Sequence, residues 1–389
     1  MPGTGPSPWR PTPADPGALF DPVELDRSRR YHRPRRRVRA LRTAARVAVL
    51  VAVVALDGAG RLVGGLGVSG WVAQLAVVLV ASELVLLVVD LPLDAWLELV
   101  HDRRWGLSTQ RGTGLARDVA LGAVVSLATG LALLVPIYAL VRVTPWWWLW
   151  AWLLVCAYAV LAGLLVPLVL APLFNRFALL DDPALAGRVR AVADRAGVPI
   201  GRVLVADESR RSRRDNAYVS GLGPTRRIVL YDTLLETPAE LVEQVVAHEL
   251  GHVRRHHLAR QLPVLAGVSL VALAALGALS GRSSGLEAVG LDGPGDPTGL
   301  PLALLVAGGL GAVLAPLPAW VSRAFERQAD LDALDLLGRP DRVEAMLRRL
   351  HARNLADLAP GRLERIGASH PPVAERIALA RMWSDTRGG

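Results

Sequence analysis

The chain reads as a mainly α, polytopic helical membrane protein with a smaller water-exposed part that holds a short β-sheet. Three observations carry this. Its 389 residues are 52% hydrophobic with a mean hydropathy of +0.35, too apolar for an ordinary soluble protein. Several stretches reach the roughly 20 apolar residues that crossing a bilayer takes. Between two groups of such stretches lies a polar region with alternating, β-branched segments.

The elements follow in order. Residues 1–42 form a basic N-terminal tail, rich in Pro and Arg through residue 35 and read as disordered. No cleavable signal peptide is expected there, because the apolar run starts too far in. Spans fall near 43–60, 70–91, 119–141, 147–171, 262–280 and 301–321, with Arg46 and Asp57 interrupting the first. Residues 43–172 are therefore a four-helix transmembrane region and 261–321 a transmembrane hairpin. Glu83 and Asp90 lie in or near the second span, where charge is costly. They face a water-filled interior, or they form an ion pair or a protonated carboxyl. Trp146, Trp147, Trp148, Trp150 and Trp152 open the fourth span and read as an interfacial belt. The single Cys156 lies within that span, which excludes a disulfide framework.

Residues 173–260 are the first polar part. A helical pattern covers 183–197. Arg202 to Ala206, Ala217 to Leu222 and Arg227 to Tyr231 read as short strands, with Gly221, Gly223 and Pro224 turning between the last two. Residues 238–258 read as one helix with Thr237 as N-cap, Pro238 in the first position and Glu240 in the third. Residues 322–389 form a second polar, helical part.

The loops set the orientation. Arg residues crowd 27–42, the 94–118 loop (Arg103, Arg104, Arg111, Arg117) and 173–260. The 142–146 loop has only Arg142, and 281–300 sets Glu287, Asp292 and Asp296 against Arg282. The positive-inside rule then places the N-terminus and both polar parts in the cytoplasm. The expectation is a multi-pass protein of the plasma membrane, with its site on the cytoplasmic side. The formal charge of +9 reads as membrane topology, and no nucleic-acid motif accompanies it, so a nucleic-acid partner is not expected.

Within the helix at 238–258 stands His248-Glu249-Leu250-Gly251-His252, an H-E-x-x-H run. Two imidazoles four residues apart share one helix face. They can bind one zinc ion, with Glu249 beside it to handle a proton of water. The chemistry this names is metal-assisted hydrolysis of a peptide bond. A bare H-E-x-x-H also arises by chance as two exposed histidines, but the apolar flanks argue for burial, and buried histidines need a partner. A catalytic zinc takes three protein ligands and keeps an open position. The extended pattern with a third His fails, because Arg255 and Leu258 occupy its Gly and His positions. His256 and His257 are too close to serve and read as exposed residues near the membrane surface. Glu326 is the better third ligand, with Asp330 four residues on to accept the second N–H of a ligand histidine. Taken alone, that stretch also fits an exposed acidic helix paired with Arg323 and Arg327. The span hairpin decides it, because it returns Glu326 to the face where His248 and His252 lie. The small sheet offers an edge to which an extended peptide can add.

Five pieces now resemble the M48 family of membrane zinc metallopeptidases, nearer its CAAX prenyl endopeptidase branch than the shorter HtpX branch. They are His248 to His252; Glu326 to Asp330 after a span pair; Asn216-Ala-Tyr with Gly221 and Arg227 to Leu235; Pro172 to Phe177; and Ser369-His370-Pro-Pro-Val-Ala-Glu-Arg376. The resemblance covers roughly residues 95–380. It implies a gluzincin-type zinc metallopeptidase domain with a small β-sheet, and one Zn2+ per chain on His248, His252 and Glu326. It implies Glu249 as general base, His370 as oxyanion donor with Arg376 supporting that region, and Asn216 as substrate-binding residue. Asp330 stands behind the ligands. The function implied is an integral-membrane zinc endopeptidase acting on a peptide or membrane-protein substrate in the lipid bilayer. The Ala-, Arg- and Leu-heavy composition fits a GC-rich bacterial source, which favours processing or quality control over true CAAX cleavage. CAAX-type C-terminal processing and an inactive zinc-bound scaffold are the alternatives.

Overall fold

The computed structural model describes residues 7–221, 223–281, 286–287 and 289–387. Leu222, the end of one expected strand, and Arg282 of the 281–300 loop lie outside them.

Helix α1 spans Pro22–Ala55 and α2 spans Gly58–Leu66, with a 59° bend between them. The bend falls at Asp57, whose φ of 48° is left-handed. Helix α3, Trp71–Ala95, continues through one wide π turn to Arg104; α4 is Gly112–Val143; α5, Trp147–Leu165, continues to Phe174. Helix α8 is His257–Ser280 and α9 is Leu300–Leu314. Five of these helices are long and apolar enough to cross a membrane, and α1 with α2 makes a sixth if the bent pair is one span. The helices cover the stretches that the hydropathy marked, except that the first is broken by the bend at Asp57 and the last ends at Leu314 instead of continuing to 321.

The basic N-terminal stretch departs from expectation: it is helical from Pro22 on. Asp21 starts α1 with a reciprocal capping box to Glu24. The arginines that suggested disorder find carboxylates on distant elements. Arg35 pairs with Asp102 at 2.6 Å, Arg42 with Asp94 and Arg46 with Asp90 along α3, and Arg36 with Asp357. Upstream of α1, Trp9 packs on Trp320 and Phe325 at centroid distances of 5.5 and 6.4 Å. The tryptophans after residue 145 divide. Trp146 and Trp150 are exposed, whereas Trp152 donates its indole N–H to the Ala266 carbonyl at 2.8 Å.

The polar part holds β1 (Phe177–Leu179), α6 (Pro183–Arg195), β2 (Arg202–Ala206), β3 (Ala217–Ser220), β4 (Arg227–Tyr231) and α7 (Ala239–Arg254). The sheet order is β1-β2-β4-β3, parallel between β2 and β4 and antiparallel elsewhere. Strand β1 was not expected, and β3 stands at the edge with β4 as its one neighbour. Val242, Val246 and Leu250 recur every four residues on α7 and are fully buried in a core with Ile228 and Leu230 of β4. Each such side chain contributes about 1.5–3 kcal/mol, which fixes the roll of α7. After α9 a one-residue break at Ala315 leads into α10 (Pro316–Leu337), followed by α11 (Pro340–Asn354), α12 (Arg362–Gly367) and α13 (Val373–Arg387). Gly251 lets α10 approach α7, and a Cβ there would sit 3.0 Å from the Ala329 Cα.

The expected single helix over 238–258 is two helices. Helix α7 ends at Arg254, His256 takes a left-handed φ of 53°, and α8 starts at His257. Pro238, not Thr237, is the residue at the N-cap, and the Thr237 hydroxyl accepts from Arg349 at 2.9 Å.

Candidate metal centre

Helix α7 fixes His248, Glu249 and His252, and α10 fixes Glu326 and Asp330. Because Val246 and Leu250 hold the neighbouring stripe of α7 in the core, the two histidines turn toward α10. Their Nε2 atoms lie 3.2 Å apart. Glu326 reaches both, 3.4 Å from His248 Nε2 and 3.4 Å from His252 Nε2. Ligand atoms of these three residues lie within 4.8 Å of one another. The donors fit a divalent cation. Two ring nitrogens face each other, so one must carry a proton or both must meet a cation. The Glu326 Oε2 is buried without a hydrogen bond. Two imidazole nitrogens and a carboxylate oxygen are a zinc-type donor set.

The charges agree. Burial resists a charge on His248, but the Asp330 and Glu326 carboxylates beside it override it and push its pKa up to about 10. Burial also opposes ionisation of Glu326, yet His248 and Arg376 bring it down to about 2. His252 is pushed down to about 3 by burial and by His248 beside it. Glu326 is thus an ionised carboxylate and His252 a neutral imidazole at the point where they meet. Burial, with the Glu326 charge adding to it, lifts Glu249 to about 7.

Behind His248 stands a charged support. Its Nδ1 lies 2.9 Å from Asp330 Oδ1, and Arg376 forks onto both Asp330 oxygens at 2.8 and 2.6 Å. That guanidinium holds the Asp330 carboxyl far below the usual carboxylate range despite burial. Arg376 therefore braces the His248 side, with its bonds to Asp330 and not to His370. His370 is exposed, places Nε2 3.3 Å from Glu326 Oε1, and meets the Ser369 hydroxyl at 2.8 Å through Nδ1.

Behind His252 the arrangement differs, and the sequence reading missed it. His257 is buried, not exposed at the membrane surface; only His256 is exposed. His257 Nδ1 lies 3.0 Å from His252 Nδ1, and its Nε2 lies 2.9 Å from Gln328 Oε1. On an unbroken helix five residues would turn His257 well off the His252 face. The left-handed His256 brings it back, and positive φ at a non-glycine residue is not a signal that a sequence carries.

The centre opens on a cavity of about 950 Å³ lined by His248, Glu249, Glu326, His370 and, from α1, Arg36 and Arg39. A second cavity of about 850 Å³ adjoins it and includes Glu98, Asp118 and Arg211. Asn216 lines both, just before edge strand β3. Glu83 and Asp90 line neither. Glu83 accepts from the Ser126 hydroxyl at 2.9 Å, and Asp90 pairs with Arg46, so of the two readings the paired one describes Asp90.

Comparison with known proteins agrees with this architecture. The model of peptidase family M48 matches residues 180–384, and that of the CAAX prenyl protease N-terminal region with five membrane helices matches residues 10–176. "Uncharacterized metalloprotease YhfN" of Bacillus subtilis is 30% identical over 306 residues, covering 77% of this chain and 71% of that protein. "CAAX prenyl protease 1 homolog" of Oryza sativa subsp. japonica is 28% identical over 310 residues, with 79% and 72% covered. The crystal structure of S. mikatae Ste24p superposes with a TM-score of 0.84 at 23% identity, covering 93% of this chain and 90% of that one, a likeness of fold. With a two-histidine, one-glutamate group and two family models that together match most of its length, this chain is a membrane metalloendopeptidase of peptidase family M48.

Proposed function

We propose that the chain holds one zinc ion on His248, His252 and Glu326 and uses it to hydrolyse peptide bonds of membrane-associated proteins or peptides. One observation carries this reading: two facing imidazole nitrogens and a buried carboxylate oxygen without a hydrogen bond meet at the wall of a cavity that Glu249 also lines. Zinc, when bound, supplies Lewis acidity and lowers the pKa of a water on it toward neutrality. Glu249 takes a proton from the attacking water and returns it to the leaving amine. His370, exposed beside Glu326, donates a hydrogen bond to the developing oxyanion. Asp330 and Arg376 hold the His248 ring. Asn216 positions an extended substrate along the free edge of β3. The site faces the cytoplasm and the spans lie in the plasma membrane, as the Arg-rich loops support.

Processing or quality control of membrane proteins is the substrate role we favour. CAAX-type C-terminal processing is the second reading, supported by the names of several relatives. The test is purification in detergent, with zinc per chain and cleavage of a quenched peptide library measured for the natural chain and Glu249→Gln. About one zinc in both and cleavage in the natural chain alone is the expected result. Cleavage by Glu249→Gln would remove Glu249 as base, and absence of zinc would remove the metal reading. Cleavage restricted to prenylated C-terminal peptides would select the second substrate role.

A further inference from the structure

We infer that His257 is a positioning residue of the metal centre, which fixes the tautomer and ring angle of His252 through a neutral relay that ends on Gln328. This rests on the metal site proposed above. His252 must present the Nε2 lone pair to a cation shared with His248 and Glu326, so its proton sits on Nδ1. The partner of that proton is His257 Nδ1 at 3.0 Å. To accept there, His257 carries its own proton on Nε2, and that N–H points at Gln328 Oε1, 2.9 Å away. Every donor then meets an acceptor. The opposite polarity would put the His252 proton on Nε2, the nitrogen that the metal needs.

The relay is held rigidly. Phe325 lies flat on the His257 ring, 4.4 Å between centroids and 5° between planes. Phe325 and Gln328 flank Glu326 on α10, so one stretch of helix supplies the third ligand and both supports of His257. The two ligand histidines are thus oriented by different chemistry. His248 leans on an ionised carboxylate neutralised by Arg376, and His252 on an uncharged imidazole and amide. Groups behind a ligand histidine set metal affinity by roughly 10–100-fold.

The experiment uses the full chain in detergent. His257→Phe keeps a ring against Phe325 and removes both nitrogens. His257→Asn returns an acceptor near the place of Nδ1, and Gln328→Leu removes the end of the relay. Zinc affinity is read by competition with a chelator of known strength, ligand geometry by visible absorption of the cobalt(II)-substituted protein, and integrity by the melting temperature of the metal-free chain. The expected result is about a 10–100-fold loss of zinc affinity in His257→Phe, with a shifted cobalt spectrum and a metal-free melting temperature close to that of the natural chain. His257→Asn should recover most of the loss. Zinc affinity within twofold of the natural chain in His257→Phe would overturn the inference. So would a loss that His257→Asn does not recover and that tracks a lower metal-free melting temperature, since that is packing alone. If His257→Phe does not fold, Gln328→Leu decides by the same readouts. A natural chain that binds no zinc would instead remove the metal site itself.

Discussion

Replacing Gly251 with alanine sets two effects of known size against each other. Gly251 lies inside α7, where alanine is a better helix former by about 1 kcal/mol. Against this, the new Cβ would stand 3.0 Å from the Ala329 Cα, 3.2 Å from the Ala329 carbonyl oxygen and 3.3 Å from the Asp332 Cβ. Comfortable carbon contacts lie at about 3.5–4.0 Å, so α7 and α10 must part by roughly half an ångström or more. Two of the obstructing atoms are backbone and cannot rotate away. Overpacking of this kind costs about 1–3 kcal/mol, which exceeds the helix gain. The larger effect falls on the metal, because His248 and His252 ride on α7 and Glu326 on α10. Metal–ligand distances tolerate about 0.2 Å. Gly251→Ala should therefore lower zinc affinity at least tenfold while lowering the metal-free melting temperature only slightly. Chelator competition and thermal unfolding of the metal-free protein measure the two separately. A variant that melts higher and binds zinc as the natural chain does would refute the claim that this crossing is tight.

Three further outcomes are expected. Asp330→Ala strands the Arg376 guanidinium and the His248 Nδ1 in a buried place, which should cost about 3–5 kcal/mol in unfolding experiments; Asp330→Ala/Arg376→Met should recover part of it. Glu344 takes hydrogen bonds from Arg381 and from Arg348, which depress its folded pKa below the unfolded value. Its stabilisation is present at neutral pH and lost as pH falls through the folded pKa, so Glu344→Gln should melt lower at pH 7, with the gap closing as pH falls through that folded pKa. Glu83 lines neither cavity, and Glu83→Leu should retain peptide cleavage; a loss with unchanged zinc content would restore a chamber role for this residue.

How much was legible depended on how local the signal was. His248 and His252 share a helix face by spacing alone, and Glu326 joins them because a span hairpin returns the chain to its starting side. Strands β2 and β4 were visible in their β-branched composition. Strand β1 was not, since three residues are too few for a period to register. The order in α1 was hidden for another reason. Its arginines read as a solvated run until Asp90, Asp94, Asp102 and Asp357, all far along the chain, come to meet them. His257 was misplaced because a single left-handed residue, His256, reverses the face on which it lies. Gly251 sat in plain view within the motif, but nothing in the sequence says which backbone crosses it.

The N-terminal segment has a consequence in time as well as in space. Pro8 accepts a hydrogen bond from Arg327 at 2.9 Å, and Trp9 lies against Trp320 and Phe325. Pro8 and Trp9 are thus seated on a helix made more than 300 residues later. Glu326 and Arg376 are also made after both histidines. A nascent chain made only through α8 carries His248 and His252 yet lacks Glu326, the third ligand of the proposed site, and Arg376 behind His248. Pairings so distant in sequence close last. On the proposed site, hydrolytic competence is in this way deferred until the chain has been made through Glu326 and Arg376.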